Sequence, residues 1–115
     1  MNADPDCNFC KIVAGQIPAR KVFEDEELIA FHDIHPWAPV HVLVIPRQHI
    51  ASLADAGSGH EPLLGRMLGL APRLMRELGV ENGFRTVINT GRDGGQEVPH
   101  LHMHVLGGSR PWLRG

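Results

Sequence analysis

The chain has no tyrosine and only two cysteines in 115 residues. Two cysteines cannot build a disulfide framework, which excludes the small secreted domains that depend on several bridges. No apolar run approaches the roughly 18 residues of a membrane span. Met1 to Asp6 is polar and acidic, without the pattern of a signal peptide, so the expectation is a soluble cytoplasmic protein that does not engage a membrane. Positive charge is not in excess either: Lys plus Arg is 11 against Asp plus Glu 13, a net −2 with neutral histidines. That balance argues against a nucleic-acid binder whose affinity comes from the phosphate backbone. Apolar residues at 43% and charged residues at 21% exclude global disorder. The length fits one domain, 1–115, able to bury roughly two-thirds of its unfolded surface. Residues 1–6 are expected to be a disordered N-terminus and 109–115 a C-terminal tail. What is abundant is histidine, present eight times.

Along the chain, Asn8 to Ala14 predicts a short helix ended by Gly15 and Pro18. Lys21 to Glu24 and Leu28 to His32 read as hairpin strands around an acidic turn. Val40 to Ile45 is a β-branched strand stopped by Pro46. Asp55 to Gly59 reads as a small-residue loop. Leu63, Leu64, Met67, Leu68, Ala71, Leu74, Met75 and Leu78 recur at helical spacing. Pro72 inside that stripe predicts a kink or two abutting pieces. Phe84 to Asn89 and His100 to Leu106 read as strands around a glycine-rich loop, Thr90 to Pro99. Grouped strands with segregated helices predict an α+β fold with a largely antiparallel five-stranded sheet.

The most informative stretch is His100-Leu101-His102-Met103-His104-Val105-Leu106. On a strand, alternation puts the three imidazoles on one face, roughly 6.5–7 Å apart, with the apolar residues beneath. A lone strand histidine is usually a satisfied, half-buried side chain. Three in alternation resist that reading, because burial penalises imidazole and charge makes neighbours repel. A plain His-x-His metal site is the other alternative. Asn89, Gly94, Gly95 and Gln96 precede the row, and loops of bare N–H groups and amides cradle phosphate. A neutral imidazole can attack phosphorus while a neighbouring imidazolium stabilises the phosphoryl oxygens. The row therefore points to phosphoryl or nucleotidyl transfer through histidine, with no cofactor needed for catalysis. Cys7 and Cys10 form a C-x-x-C pair that is either half of a zinc site or two ordinary small residues.

His100 to Leu106 matches the histidine-triad pattern, and further stretches match with it: FCKIVAGQIP from Phe9, FEDEELIAFHD from Phe23, APVHVLVIPRQHI from Ala38, VINTG around Asn89, DGGQ from Asp93 and VLGG from Val105. From Cys7 to about Trp112 the chain resembles the histidine triad (HIT) superfamily, in its nucleotide-binding HINT branch. The resemblance implies a homodimer whose sheets join across the interface. It implies hydrolysis of purine nucleoside phosphoramidates, AMP or GMP joined to an amine, through a nucleotidyl-histidine. By motif, His102 would be the nucleophile, His104 would contact the phosphate, His100 would orient His102, and His41 would stand behind them as an orienting or relay group. Asp33 would take the ribose hydroxyls. Asn89 and the Gly95-Gln96 backbone would hold phosphate. Phe9, Ile12, Phe31, Ile34 and Leu43 would form the base slot with Val98 beside it, although core packing explains the first five equally well.

Two further expectations follow from the resemblance. Many HINT proteins carry a hydroxyl residue three before the first triad histidine; here it is Glu97, which could protonate a leaving amine or repel phosphate. Some triad relatives hold a structural zinc through a C-x-x-C pair and two histidines, giving Cys7, Cys10, His49 and His100 here. His35 and His60 are expected to be solvated and His32 to carry no chemistry. Trp112 would reach a partner's site or belong to a frayed end. Dinucleoside polyphosphate hydrolysis, or a nucleotide- or zinc-binding regulatory role with incidental catalysis, are the alternative functions.

Overall fold

In the computed structural model, which describes residues 4–113, a short helix α1 (Asn8–Val13) precedes strands β1 (Lys21–Glu24), β2 (Leu28–His32) and β3 (Val40–Pro46). A long helix α2 (Glu61–Glu77) follows, then β4 (Phe84–Val87) and β5 (Met103–Gly107). The five strands form one sheet in the order β1-β2-β3-β5-β4, with every pairing antiparallel. The expected α+β fold is therefore present. Met1 to Ala3 and Arg114 to Gly115, the outermost parts of the expected terminal segments, lie outside the described residues. Asp4 to Cys7 is a turn in which the Cys7 N–H donates to the Asp4 carbonyl at 3.0 Å.

Both sheet faces are covered, which is why β2 and β3 read as near-continuous apolar runs. Leu28, Ala30, Val42, Val44, Met103 and Val105 pack under Met67, Leu70, Leu74 and Met75 of α2. Residues of opposite parity, Ile29, Phe31, Leu43 and Ile45, pack under Phe9, Cys10 and Ile12 of α1. The α1 face is the one that carries chemistry. His41 shares its parity with Leu43, as expected, and His104 pairs directly with Leu43 across the ladder.

Several boundaries differ from expectation. β5 begins at Met103, not His100. Upstream, the His100 N–H donates to the Val98 carbonyl and the Leu101 N–H to the Ile50 carbonyl, so these groups leave the ladder. α2 runs through Pro72 as a single element; buried Leu70, Ala71, Leu74 and Met75 on either side offset the hydrogen bond that proline cannot donate. α2 also starts two residues before the first apolar position, with Pro62 in its first turn, where a missing N–H costs nothing. β4 stops at Val87 rather than Asn89. The segment expected as a plain loop holds two single 3₁₀ turns, Leu53–Asp55 and Ser58–His60.

The β1–β2 turn is tied to α2 by charge. One Asp25 carboxylate oxygen accepts the Glu27 and Leu28 N–H groups at 2.8 Å each, and the other pairs with Arg66 at 2.5 Å. Arg66 also reaches Glu27 at 2.7 Å. The Arg66 guanidinium, ahead of the two backbone N–H groups, holds the Asp25 carboxyl down at about 2. A depressed carboxylate contributes stability that is complete above its unfolded-state pKa near 4 and fades as pH falls through its folded value. The Arg66→Ala variant is therefore expected to lose less stability than the parent between about pH 4 and 2, and NMR titration of Asp25 should show its midpoint moving up toward the ordinary range.

Candidate active site and metal centre

Four imidazoles are buried within this small domain: His41 is 2% exposed, His100 0%, His102 5% and His104 6%. Burial favours the neutral ring, which has one N–H and one lone pair. Carbonyl oxygens only accept, so they decide which nitrogen bears the proton. His102 Nδ1 faces the His100 carbonyl at 2.7 Å and must donate, leaving its Nε2 lone pair free. His100 Nε2 donates to the Pro46 carbonyl at 2.8 Å, leaving Nδ1 unprotonated. The Trp37 N–H donates to His41 Nδ1 at 3.0 Å, so neutral His41 carries its proton on Nε2 and donates to His104 Nδ1 at 2.8 Å. Neutral His104 is then an Nε2–H donor. Asp33 stands beside this chain, with Oδ2 3.6 Å from His41 Nε2.

The rings of His102 and His104 lie 5.0 Å apart, centre to centre. An imidazole lone pair and an imidazole N–H thus come from two adjoining rings. Burial pushes His100 down to about 4, against the upward pull of its bond to Pro46. Burial also lowers His102, opposed by its bond to the His100 carbonyl and by the charges of Asp33 and Glu97. Both are neutral at pH 7. His100 lies ahead of β5 rather than within it, and its Nδ1 edge faces Cys7, Cys10 and His49.

Beside the histidines lies a cleft of about 370 Å³, whose walls include Phe9, Ile12, Phe31, Asp33, Ile34, Leu43 and Val98. All five residues expected in the base slot are there. Phe9, Ile12, Phe31 and Leu43 are also core, but Ile34 is 85% exposed and serves only as wall. Phe9 reaches further, its ring edge-on to His102 at 5.2 Å. Sequence reasoning missed Asn8, Ile17, Pro18, Ala19, Arg20 and His32 in the same walls; the chain turn after α1 that brings residues 17–20 there has no periodic signal. Trp37 was also missed, although its ring stacks on His104 at 4.5 Å and 21°. A larger cavity of about 670 Å³, between residues 79–85 and Gly108–Trp112, contains none of the histidines.

The glycine-rich loop departs from expectation in one respect. The Gly95 N–H donates to the Arg92 carbonyl and the Gln96 N–H to the Gly91 carbonyl. Both N–H groups assigned to phosphate are spent inside the loop, because Gly95 at φ 78° closes a tight turn there. The Gln96 side chain is structural too: it accepts from the Gly91 N–H and donates to the Ala51 and Val98 carbonyls. Asn89 is half-buried beyond β4, and Glu97 is exposed. Trp112 folds onto its own tail, its indole N–H on the Gly108 carbonyl at 3.1 Å. His60 accepts the Gly57 N–H at 2.9 Å, and His35 is exposed.

Cys7, Cys10, His49 and His100 converge, with their ligand atoms all within 4.8 Å of one another. His100 Nδ1 is 3.4 Å from Cys7 Sγ, 3.5 Å from Cys10 Sγ and 3.2 Å from His49 Nδ1, while Cys10 Sγ is 3.2 Å from His49 Nδ1. Ligands on a tetrahedral zinc stand about 3.3–3.8 Å apart, so the set fits that ion. The donor chemistry fits as well: the Pro46 carbonyl leaves His100 Nδ1 with a lone pair aimed into the cluster. Burial pushes the Cys7 thiol up; a bound cation would reverse that.

The HIT domain profile matches residues 14–110. Protein HitA of Neisseria gonorrhoeae is 52% identical over 102 residues, 89% of this chain and 95% of that one. The purine nucleoside phosphoramidase of Escherichia coli K12 is 46% identical over 101 residues, 87% of this chain and 85% of that one. A HIT family hydrolase from Legionella pneumophila superposes with a TM-score of 0.88 at 47% identity, over 91% of this chain and 95% of that one. A zinc-bound histidine triad family protein from Mycobacterium smegmatis superposes with a TM-score of 0.78 at 35% identity, over 89% of this chain and 74% of that one. The five-stranded antiparallel sheet with its long and short helices is shared architecture, and the chain belongs to the HIT domain family. Among the described residues no helix is long and apolar enough to cross a membrane.

If the Cys₂His₂ set holds zinc, metal-replete protein contains about one zinc per chain, and chelation lowers its melting temperature. Cys10→Ala should abolish stoichiometric binding as measured by atomic absorption. Retention of a full equivalent by that variant would place the metal elsewhere.

Proposed function

We propose that this chain is a hydrolase of purine nucleoside 5′-phosphoramidates that works through a nucleotidyl-histidine on His102. One observation carries the reading: His102 is held as the Nδ1–H tautomer by the His100 carbonyl, which leaves a nucleophilic Nε2 beside the Nε2–H of His104. The E. coli relative's name supports the substrate class.

In the first step His102 Nε2 attacks the α-phosphorus and the P–N bond to the amine breaks. The amine leaves with a proton that comes from solvent, relayed in this reading by the exposed Glu97 carboxylate, whose charge also bears on His102. In the second step water attacks the same phosphorus, the P–His102 bond breaks, and the nucleoside monophosphate departs. His104 donates to the phosphoryl oxygens in both steps, with its Nδ1 held by His41. The cleft takes the base between Phe9, Ile12, Phe31, Ile34, Leu43 and Val98, and Asp33 takes the ribose. Asn89 and His104 hold the phosphate, since the Gly95 and Gln96 N–H groups are engaged within their loop.

Zinc at Cys7, Cys10, His49 and His100 would be structural, tying α1 to the segment that ends in the nucleophile. A homodimer formed along β4 is part of the same reading. β4 is an edge strand, and Phe84 on it and Leu68 on α2 are 41% and 53% exposed. Cytoplasmic location and a single domain over 1–115 complete it.

The test is hydrolysis of an adenosine phosphoramidate bearing a fluorescent amine. His102→Ala should lower turnover by at least about a thousandfold while AMP still binds. A wild-type protein that binds AMP but turns over nothing would contradict the reading, favouring a dinucleoside polyphosphate substrate or a binding role. For Glu97→Gln, loss of a charge that raises the His102 pKa should move the acid limb of kcat/KM to lower pH. The same variant should lose more rate on poor than on good amine leaving groups; equal losses would remove Glu97 from the protonation step.

A further inference from the structure

Trp37 lies in the connection between β2 and β3 and touches the histidine cluster in two separate ways. Its backbone N–H donates to His41 Nδ1 at 3.0 Å. Its indole lies face to face with His104, centroids 4.5 Å apart at 21°, and tilted against His41 at 4.8 Å and 51°. A third contact anchors it, since its carbonyl accepts the Leu113 N–H from the C-terminal tail at 2.7 Å. The ring is half-buried and belongs to neither apolar cluster of the core. It is also absent from the walls of the base cleft. A residue placed there for packing would be expected among the aliphatic side chains, and one placed for base recognition along the cleft.

We propose that Trp37 is a positioning residue of the reaction: its N–H keeps the His41 proton on Nε2, and its indole face fixes the plane of His104, so that the His104 Nε2–H stays aimed at the phosphoryl oxygens. The inference rests on the phosphoramidate reading and deepens it. The two contacts act in series. The Trp37 N–H leaves His41 only Nε2 as donor, and that donor meets His104 Nδ1 at 2.8 Å. The His41 bond fixes which His104 nitrogen accepts, but it leaves the ring free to swing about that bond. A flat aromatic face against the imidazole removes that freedom. Because charge grows on the phosphoryl oxygens as the nucleophile attacks, a misaimed donor costs rate in the transition state more than it costs ground-state binding.

The experiment compares Trp37→Leu and Trp37→Phe, both of which keep every backbone hydrogen bond. Leu keeps apolar bulk without an aromatic face; Phe keeps the face. Trp37→Leu should lower kcat on the adenosine phosphoramidate by about tenfold with KM within about twofold, and Trp37→Phe should recover most of the loss. Ring ¹⁵N NMR gives a readout independent of turnover. In the Leu variant His41 should remain an Nε2–H tautomer and His104 should keep its Nδ1 acceptor, because the backbone donor is intact, while the His104 ring resonances should shift and broaden as the ring loses its fixed plane. A Leu variant with kcat unchanged, with KM alone altered, or with the same rescue from Leu as from Phe would overturn the proposal. So would an unaltered His104 resonance. If the wild type itself does not cleave the phosphoramidate, the functional reading falls, and the His104 resonance alone decides the role of Trp37.

Discussion

A neutral imidazole has one proton, and the nitrogen that carries it decides whether the other attacks, donates or binds a metal. Backbone atoms make that choice for three of the four buried histidines here. The His100 carbonyl assigns His102, the Pro46 carbonyl assigns His100, and the Trp37 N–H assigns His41 and, through it, His104. These partners are fixed by the fold and do not titrate. Burial then keeps His100 and His102 uncharged at pH 7. Which ring nitrogen keeps its lone pair is therefore a property of main-chain placement as much as of the histidines themselves.

That placement depends on where β5 begins. If the ladder had continued to His100, its carbonyl would have been committed to a neighbouring strand. Instead residues 98–101 bond to each other and to Ile50, and the freed carbonyl turns back onto His102. His100 joins two groups of residues, with its ring in the Cys₂His₂ cluster and its carbonyl on His102. Phe9, lying between Cys7 and Cys10 in the chain, packs edge-on against both His100 and His102 and also walls the cleft. In such an arrangement the Cys₂His₂ cluster and the cleft are mechanically adjacent.

Much of this could be read from the amino acids. Sequence pattern and turn residues located all five strands and both helices, and the spacing of Leu and Met identified the core face of α2 except at Leu68, which is 53% exposed. The histidine row, with the flanking motifs, identified the family. What escaped has physical causes. Alternation assumes a regular strand, so it placed His100 in a ladder that begins only at Met103. Glycines signal available N–H groups but not whether the loop consumes them, as it does at Gly95 and Gln96. Trp37 and Arg20 belong to irregular connections, where no period marks which way a side chain faces. The Cys₂His₂ set, which joins residues up to 93 apart in sequence, was anticipated through the family resemblance, since spacing alone could not supply that closure.

The central claim is the tautomer of His102, and it can be measured directly. Long-range ¹H–¹⁵N correlation on protein labelled at histidine, at neutral pH, reports which ring nitrogen of each residue is protonated. The expected result is His102 as the Nδ1–H form with an unprotonated Nε2, and His100 as the Nε2–H form. A His102 that is protonated on both nitrogens at pH 7, or on Nε2 alone, would have no lone pair to offer phosphorus and would contradict it.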